Sequence, residues 1–329
     1  MQQVHYADLR FSIAVLSTGR RTHHSALQDM LLFRGPDDTY SPFAQLLLYN
    51  IRHLAIVFGL ADRKRVAFAD PAWKKCMAIT SSLMTDLTDL LVSGKKAVTS
   101  ELNLTSRIQA CVPSLLQECD AFRIARLKGQ RRPMDVLVDL CTLERDLHAW
   151  QLVWLRSFHG LPYWTTDVSD FDHFHKYHLE ADQVFPKAYV FQSFSSASAQ
   201  TSYWIALLHI KQTISQVGQL EGPRSIYAIQ GRCNTLVEEA DECAQDLCRS
   251  VAWLIQPTYG SCGIIRASSP IRYAARWFIA QANLERTQWC LTVERNLGSS
   301  GIVFHSQEDF LPNMSDGYEP FSDDSSSPP

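Results

Sequence analysis

The sequence predicts an all-α fold, an irregular helical array rather than a compact four-helix bundle. Three observations predict it. Apolar residues recur at three- and four-residue steps along most of the chain. Alternating apolar and polar runs are almost absent, and the one Asp-Gly pair, Asp316 with Gly317, falls in the tail rather than between strands. Proline and glycine fall between the periodic segments, where they punctuate helices. No fixed-period repeat of the solenoid kind is present.

Taken in order, Phe43, Leu46, Leu47, Leu54, Val57 and Phe58 share a face of a helix running to about Leu60. Two further helices are expected over Thr99 to Leu127 and Asp135 to Phe158, with Gly129 to Pro133 breaking between them. Val190 to Val217 reads as another, apolar around its middle. The strongest pattern runs from Ser225 to Gln256. There Ile229, Leu236, Val237, Ala240, Cys243, Ala244, Leu247 and Val251 form a stripe that Glu238, Glu239, Glu242 and Asp246 mostly avoid. Ser225 is the expected N-cap, since its hydroxyl can accept an orphan amide, and Pro257 the expected stop. Pro270 suits the first turn of the next helix. Asn283 caps the last, which ends at Gly298. Residues 1–306 are therefore one helical domain. Residues 307–329 form an acidic tail in which Glu308, Asp309, Asp316, Glu319, Asp323 and Asp324 alternate with Phe310, Leu311, Met314, Tyr318 and Phe321. Such a segment cannot bury a core and is expected to be disordered.

Composition narrows the functional classes. The chain has 329 residues, 46% hydrophobic and 20% charged, as expected of a protein with a sizeable core. Its net charge of -3 argues against a self-sufficient nucleic-acid binder. Basic groups cluster only at Arg63, Lys64 and Arg65 and at Lys128, Arg131 and Arg132, where they read as solvated helix ends or a short import signal. The 9 cysteines are scattered without tight pairs. Together with the missing signal-peptide pattern, this points to a reducing compartment. No apolar run approaches the roughly 20 residues of a membrane helix, so a soluble protein is expected.

Candidate chemistry is sparse. His173, His175 and His178, with Asp170 and Asp172 nearby, carry metal-ligating groups at close spacing, but no second cluster supplies a fourth ligand. A polar loop entering a helix is the simpler reading, and no cofactor or metal is expected. Cys243 and Cys248 fall on or beside an apolar stripe and read as small core residues. Asp37 and Asp38 after Gly35 and Pro36 lack a third carboxylate, because position 41 is serine, and read as a turn. Gly260 and Gly263 have neither a preceding strand nor a following P-loop lysine. No nucleophile elbow or zinc-binding histidine helix is present. A catalytic role is not expected.

Two stretches carry a resemblance. The first is Leu31, Leu32, Phe33, Arg34, Gly35 and Pro36, then the helix to Leu60, then Phe68, Pro71, Trp73 and Lys74. The second runs from Cys248 through Pro257 and Gly260 to Pro270, Ile271, Arg272 and Tyr273, then to Glu285, Trp289 and Cys290. In order and spacing they resemble the C-terminal regulatory region of fungal binuclear-zinc-cluster transcription factors, over roughly residues 20 to 300. The resemblance implies a nuclear, all-helical regulatory domain that works through partners of the transcription machinery, a zinc-cluster regulator or a small effector. It transfers no catalytic or DNA-contacting residue. The compact cysteine cluster that reads DNA in that family has no counterpart in this sequence, so direct sequence-specific DNA binding is not expected. Either the reading frame is truncated upstream or the chain is a cluster-less relative. An all-α metal-dependent or isoprenoid enzyme and a ligand-free helical scaffold are the alternatives.

Overall fold

The structure, a computed structural model, describes residues 18–36, 48, 51–52, 55–56, 59–60, 63–70, 72–73, 112–117, 133–156, 158–175, 184–220 and 223–298. These residues are mostly helical, as the sequence predicts, with one two-stranded sheet that it does not. The helices are α1 (Thr18–Arg34), α2 (Pro133–Arg156), α3 (Phe194–Leu220), α4 (Pro223–Arg249), α5 (Val251–Leu254), α6 (Gly260–Ala280) and α7 (Leu284–Gly298). The strands β1 (Tyr163–Asp167) and β2 (Lys187–Phe191) pair antiparallel, Tyr163 opposite Phe191 and Asp167 opposite Lys187. Packing follows chain order: α2 lies on α3, α3 on α4, α4 on α6 and α6 on α7, while the hairpin rests against α3, α4 and α5. No helix among the described residues is long and apolar enough to cross a membrane.

Local chemistry accounts for the boundaries. α1 ends at Gly35, whose φ of 80° places it in the left-handed region while its amide reaches the Leu31 carbonyl at 3.0 Å. This is the αL C-cap that glycine adopts without a Cβ penalty. Asn283 caps α7 as expected: its Oδ1 accepts from the Arg286 amide at 3.2 Å. α2 begins at Pro133, where a missing amide donor costs nothing.

Four expectations need correction. Val190 and Phe191 belong to β2, and α3 starts only at Phe194. α4 begins at Pro223, so Ser225 lies inside its first turn rather than at its cap. The stripe does not run unbroken to Gln256: a turn at Ser250, whose hydroxyl donates to the Leu247 carbonyl at 2.6 Å, separates α4 from the short α5. Pro270 lies in the middle of α6, not its first turn. α6 starts ten residues earlier because Gly260, after the turn at Pro257, already enters the helix. Gly263 lets this first turn cross α5 closely, since a Cβ there would lie 2.1 Å from the Leu254 carbonyl oxygen. The helix expected over Thr99 to Leu127 is described only at 112–117, all helical. The stripe Phe43, Leu46, Leu47, Leu54, Val57 and Phe58 and the tail 307–329 lie outside the described residues.

Two apolar clusters result. The larger gathers α2 to α7 and the hairpin. The smaller joins Leu31 of α1 to Leu48, Ile51, Ala55, Val66, Phe68 and Trp73. In it Phe68 and Trp73 meet edge-on with ring centroids 5.2 Å apart, a geometry that adds to the burial term of each ring.

Candidate functional site

The densest set of ionisable groups lies where α3 packs between α2 and α4. Lys211 of α3 is almost fully enclosed, and its ammonium donates to Glu144 of α2 at 2.7 Å and to Glu239 of α4. Burial works against the charged amine, yet the two carboxylates, by hydrogen bonds and charge, hold its pKa above the ordinary lysine value. It therefore stays protonated and is no nucleophile at neutral pH. Two turns before Lys211, the Tyr203 hydroxyl and His148 Nδ1 share a hydrogen bond of 2.8 Å, and His148 Nε2 lies 3.9 Å from Glu144. Burial, and secondarily the charges of neighbouring groups, raise the Tyr203 phenol. Burial likewise pushes the nearby Cys243 thiol up to about 12, which leaves no thiolate to attack or bind metal. On α3, Gln200 is enclosed with neither amide atom hydrogen-bonded.

The hairpin closes the adjoining end. Tyr163, Tyr189 and Phe191 pack with Trp204 of α3, their centroids 5.1 to 6.4 Å apart, and Phe191 reaches Trp253 of α5 at 5.3 Å. The Tyr189 hydroxyl donates to Asp246 of α4 at 2.7 Å, and Arg249 reaches the same carboxylate oxygen at 2.9 Å. Burial raises the Asp246 pKa despite both donors, and burial with Asp246 and Glu242 pushes Tyr163 up to about 12. These rings pack on one another, so they form a wall rather than a cage around a ligand.

The other side of α4 is tied to α6 and α7. Asp241 accepts from Arg286 of α7 at 2.7 Å and from the Trp277 indole of α6 at 3.1 Å. Arg272 of α6 pairs with Glu294 of α7 at 2.7 Å. The Cys248 and Cys290 sulfurs lie 3.7 Å apart as free thiols, with burial holding Cys248 well above the usual thiol range. The second resemblance segment thus begins and ends at one contact between α4 and α7.

The predicted site residues do not converge. His173 lies in a short 3-10 turn after β1 and bonds through Nε2 to the Ala252 carbonyl at 2.9 Å, pinning that turn to α5. His175 is exposed, and His178 lies outside the described residues. Among the described residues no three His, Cys, Asp or Glu side chains gather at metal-binding spacing. Lys64 and Arg65 are exposed, with the Arg65 amide donating to Gln117 at 2.8 Å. Asp37 and Asp38 lie outside the described residues. The Glu144, Lys211 and Glu239 grouping escaped sequence reasoning. Its members stand 67 and 28 positions apart, and only a lysine in the middle of an apolar helical run hints at it. No family model matches the chain, and no curated protein or solved structure matches it.

Proposed function

We propose that the chain is a transcription-regulatory domain of the fungal zinc-cluster type, nuclear, acting through protein partners or a small effector and not reading DNA through residues of its own. One observation carries this reading: the stretches behind the resemblance are packing stretches. Leu31, Phe68 and Trp73, from separate parts of the first, join a single apolar cluster. The second wraps α5, α6 and α7 against the end of α4, from Cys248 to Cys290. The ionisable groups fit the same role. Lys211 stays charged between carboxylates and the Cys243 thiol stays protonated, a state that favours structure over nucleophilic chemistry.

A fusion of the whole chain to an unrelated DNA-binding domain tests the proposal. Reporter expression in a fungal host is expected to change several-fold against the DNA-binding domain alone; an unchanged reporter overturns it. Removing residues 307–329 from the fusion is expected to lower activation, because acidic segments dotted with aromatics suit folding onto a coactivator. Unchanged activation would assign that stretch to solubility instead.

A further inference from the structure

α4 and α7 meet at a pair of thiols. Cys248 lies in the last turn of α4 and Cys290 midway along α7, 42 positions apart in sequence. Their sulfurs stand 3.7 Å apart, both buried and both free thiols. The chain between them runs out through α5 and α6 and back along α7. Bringing the ends of such a loop together is the entropic obstacle to a cross-link, and folding has already overcome it here.

A disulfide holds its sulfurs about 2.05 Å apart. Closing the gap needs an approach of roughly 1.7 Å, within reach of a side-chain rotation and a small shift of α7. α7 packs chiefly on α6. Its polar ties are Arg286 to Asp241 of α4 and Glu294 to Arg272 of α6. Burial keeps Cys248 protonated while α7 is docked, and the thiolate is the reactive form. Oxidation therefore starts when α7 lifts and water reaches the pair.

We propose that Cys248 and Cys290 form a reversible disulfide in the presence of a hydroperoxide, a redox lock that ties α7 to the end of α4. One thiolate attacks the peroxide, its O–O bond breaks, and a sulfenic acid and one water result. When α7 redocks, the second sulfur attacks the sulfenic sulfur. The S–S bond forms, the S–O bond breaks, and hydroxide leaves as water with the second thiol's proton. Overall the two thiols lose two hydrogens and two electrons, and hydrogen peroxide becomes two waters. Disulfides in reducing compartments are mostly transient and redox-sensing, which suits a pair that is free at rest. The inference stands apart from the regulatory reading, because the bond is observed on the purified chain.

The test treats the reduced full chain with hydrogen peroxide, blocks remaining thiols in denaturant and maps the peptides without reduction. The expected result is a peptide pair linked through Cys248 and Cys290 in most molecules, cleaved by dithiothreitol. Tm is expected to rise by several degrees with the bond. Cys248→Ser and Cys290→Ala are each expected to abolish the linked pair and the rise, and either suffices if the other fails to fold. Arg286→Ala, which unties α7 from Asp241, is expected to speed bond formation several-fold; an equal rate would contradict entry through the lifting of α7. Both cysteines recovered as free thiols, or bonded elsewhere, would overturn the proposal. A linked pair with unchanged Tm would overturn the lock.

Discussion

The two faces of α3 handle buried polarity in opposite ways. Toward α2 and α4, Lys211 is enclosed with its charge answered by Glu144 and Glu239. Toward α6, His209 is enclosed with both ring nitrogens unanswered, beside arginines and with no acidic residue on either helix. Both side chains pay a desolvation cost. Only Lys211 recovers it through hydrogen bonds within the protein, which marks the first face as a clamp.

Breaking the clamp gives the largest expected effect. Lys211→Ala removes the cation that faces buried Glu144 and is expected to cost about 3–5 kcal/mol in urea unfolding. The paired change Lys211→Met with Glu144→Leu removes both charges and is expected to restore most of that loss, since apolar replacements of buried ion pairs are often neutral. A double variant as unstable as the single one would show that the clamp is not the source of the effect.

Acid sharpens the contrast from the other side. The folded imidazole of His209 ionises only near pH 3, while an unfolded histidine ionises near 6.5. Below 6.5 the unfolded chain therefore binds the extra proton. The stability from neutral His209 is complete above that pH and is lost, at about 1.4 kcal/mol per unit, as pH falls toward 3. At pH 5 the wild type should have lost about 2 kcal/mol through this group. His209→Leu lacks this contribution, so its unfolding profile between pH 7 and pH 5 is expected to be flatter by that amount. Parallel profiles would place His209 in contact with water.

A change on neither face sets the lower end of the scale. Asn283→Ala removes one cap of α7 and is expected to cost about 1 kcal/mol, with no change in acid sensitivity. A larger cost would show that α7 depends on its first turn more than on Trp289, Cys290 and Val293.

Much of the helical array was legible because its determinants are local. The stripe from Leu236 to Leu247, the break before Pro133 and the cap at Asn283 depend on residues within a turn or two of each other. The hairpin was not legible. β1 shows no alternation of burial, and 19 residues separate it from β2 with no tight-turn signal. Hence the sequence pattern carries Val190 and Phe191 into the helix that follows them, although both belong to β2. Pro270 misled because its usual place is a first turn, yet α6 carries it in mid-helix. The clamp and the enclosure of His209 against α6 were illegible for one reason. Each is made by helices distant in sequence, and no spacing along a single helix reports which face will meet which neighbour. The histidines that stand out in the sequence, at 173 and 175, share one turn, but His173 bonds to the Ala252 carbonyl and His175 is exposed.

Selective labelling of the histidine rings followed by NMR titration tests the contrast most directly. The chain has 11 histidines, and His209→Leu assigns the resonance in question. A neutral ring that does not titrate between pH 8 and pH 5 is the predicted result. A ring that titrates near 6.5 would contradict the account.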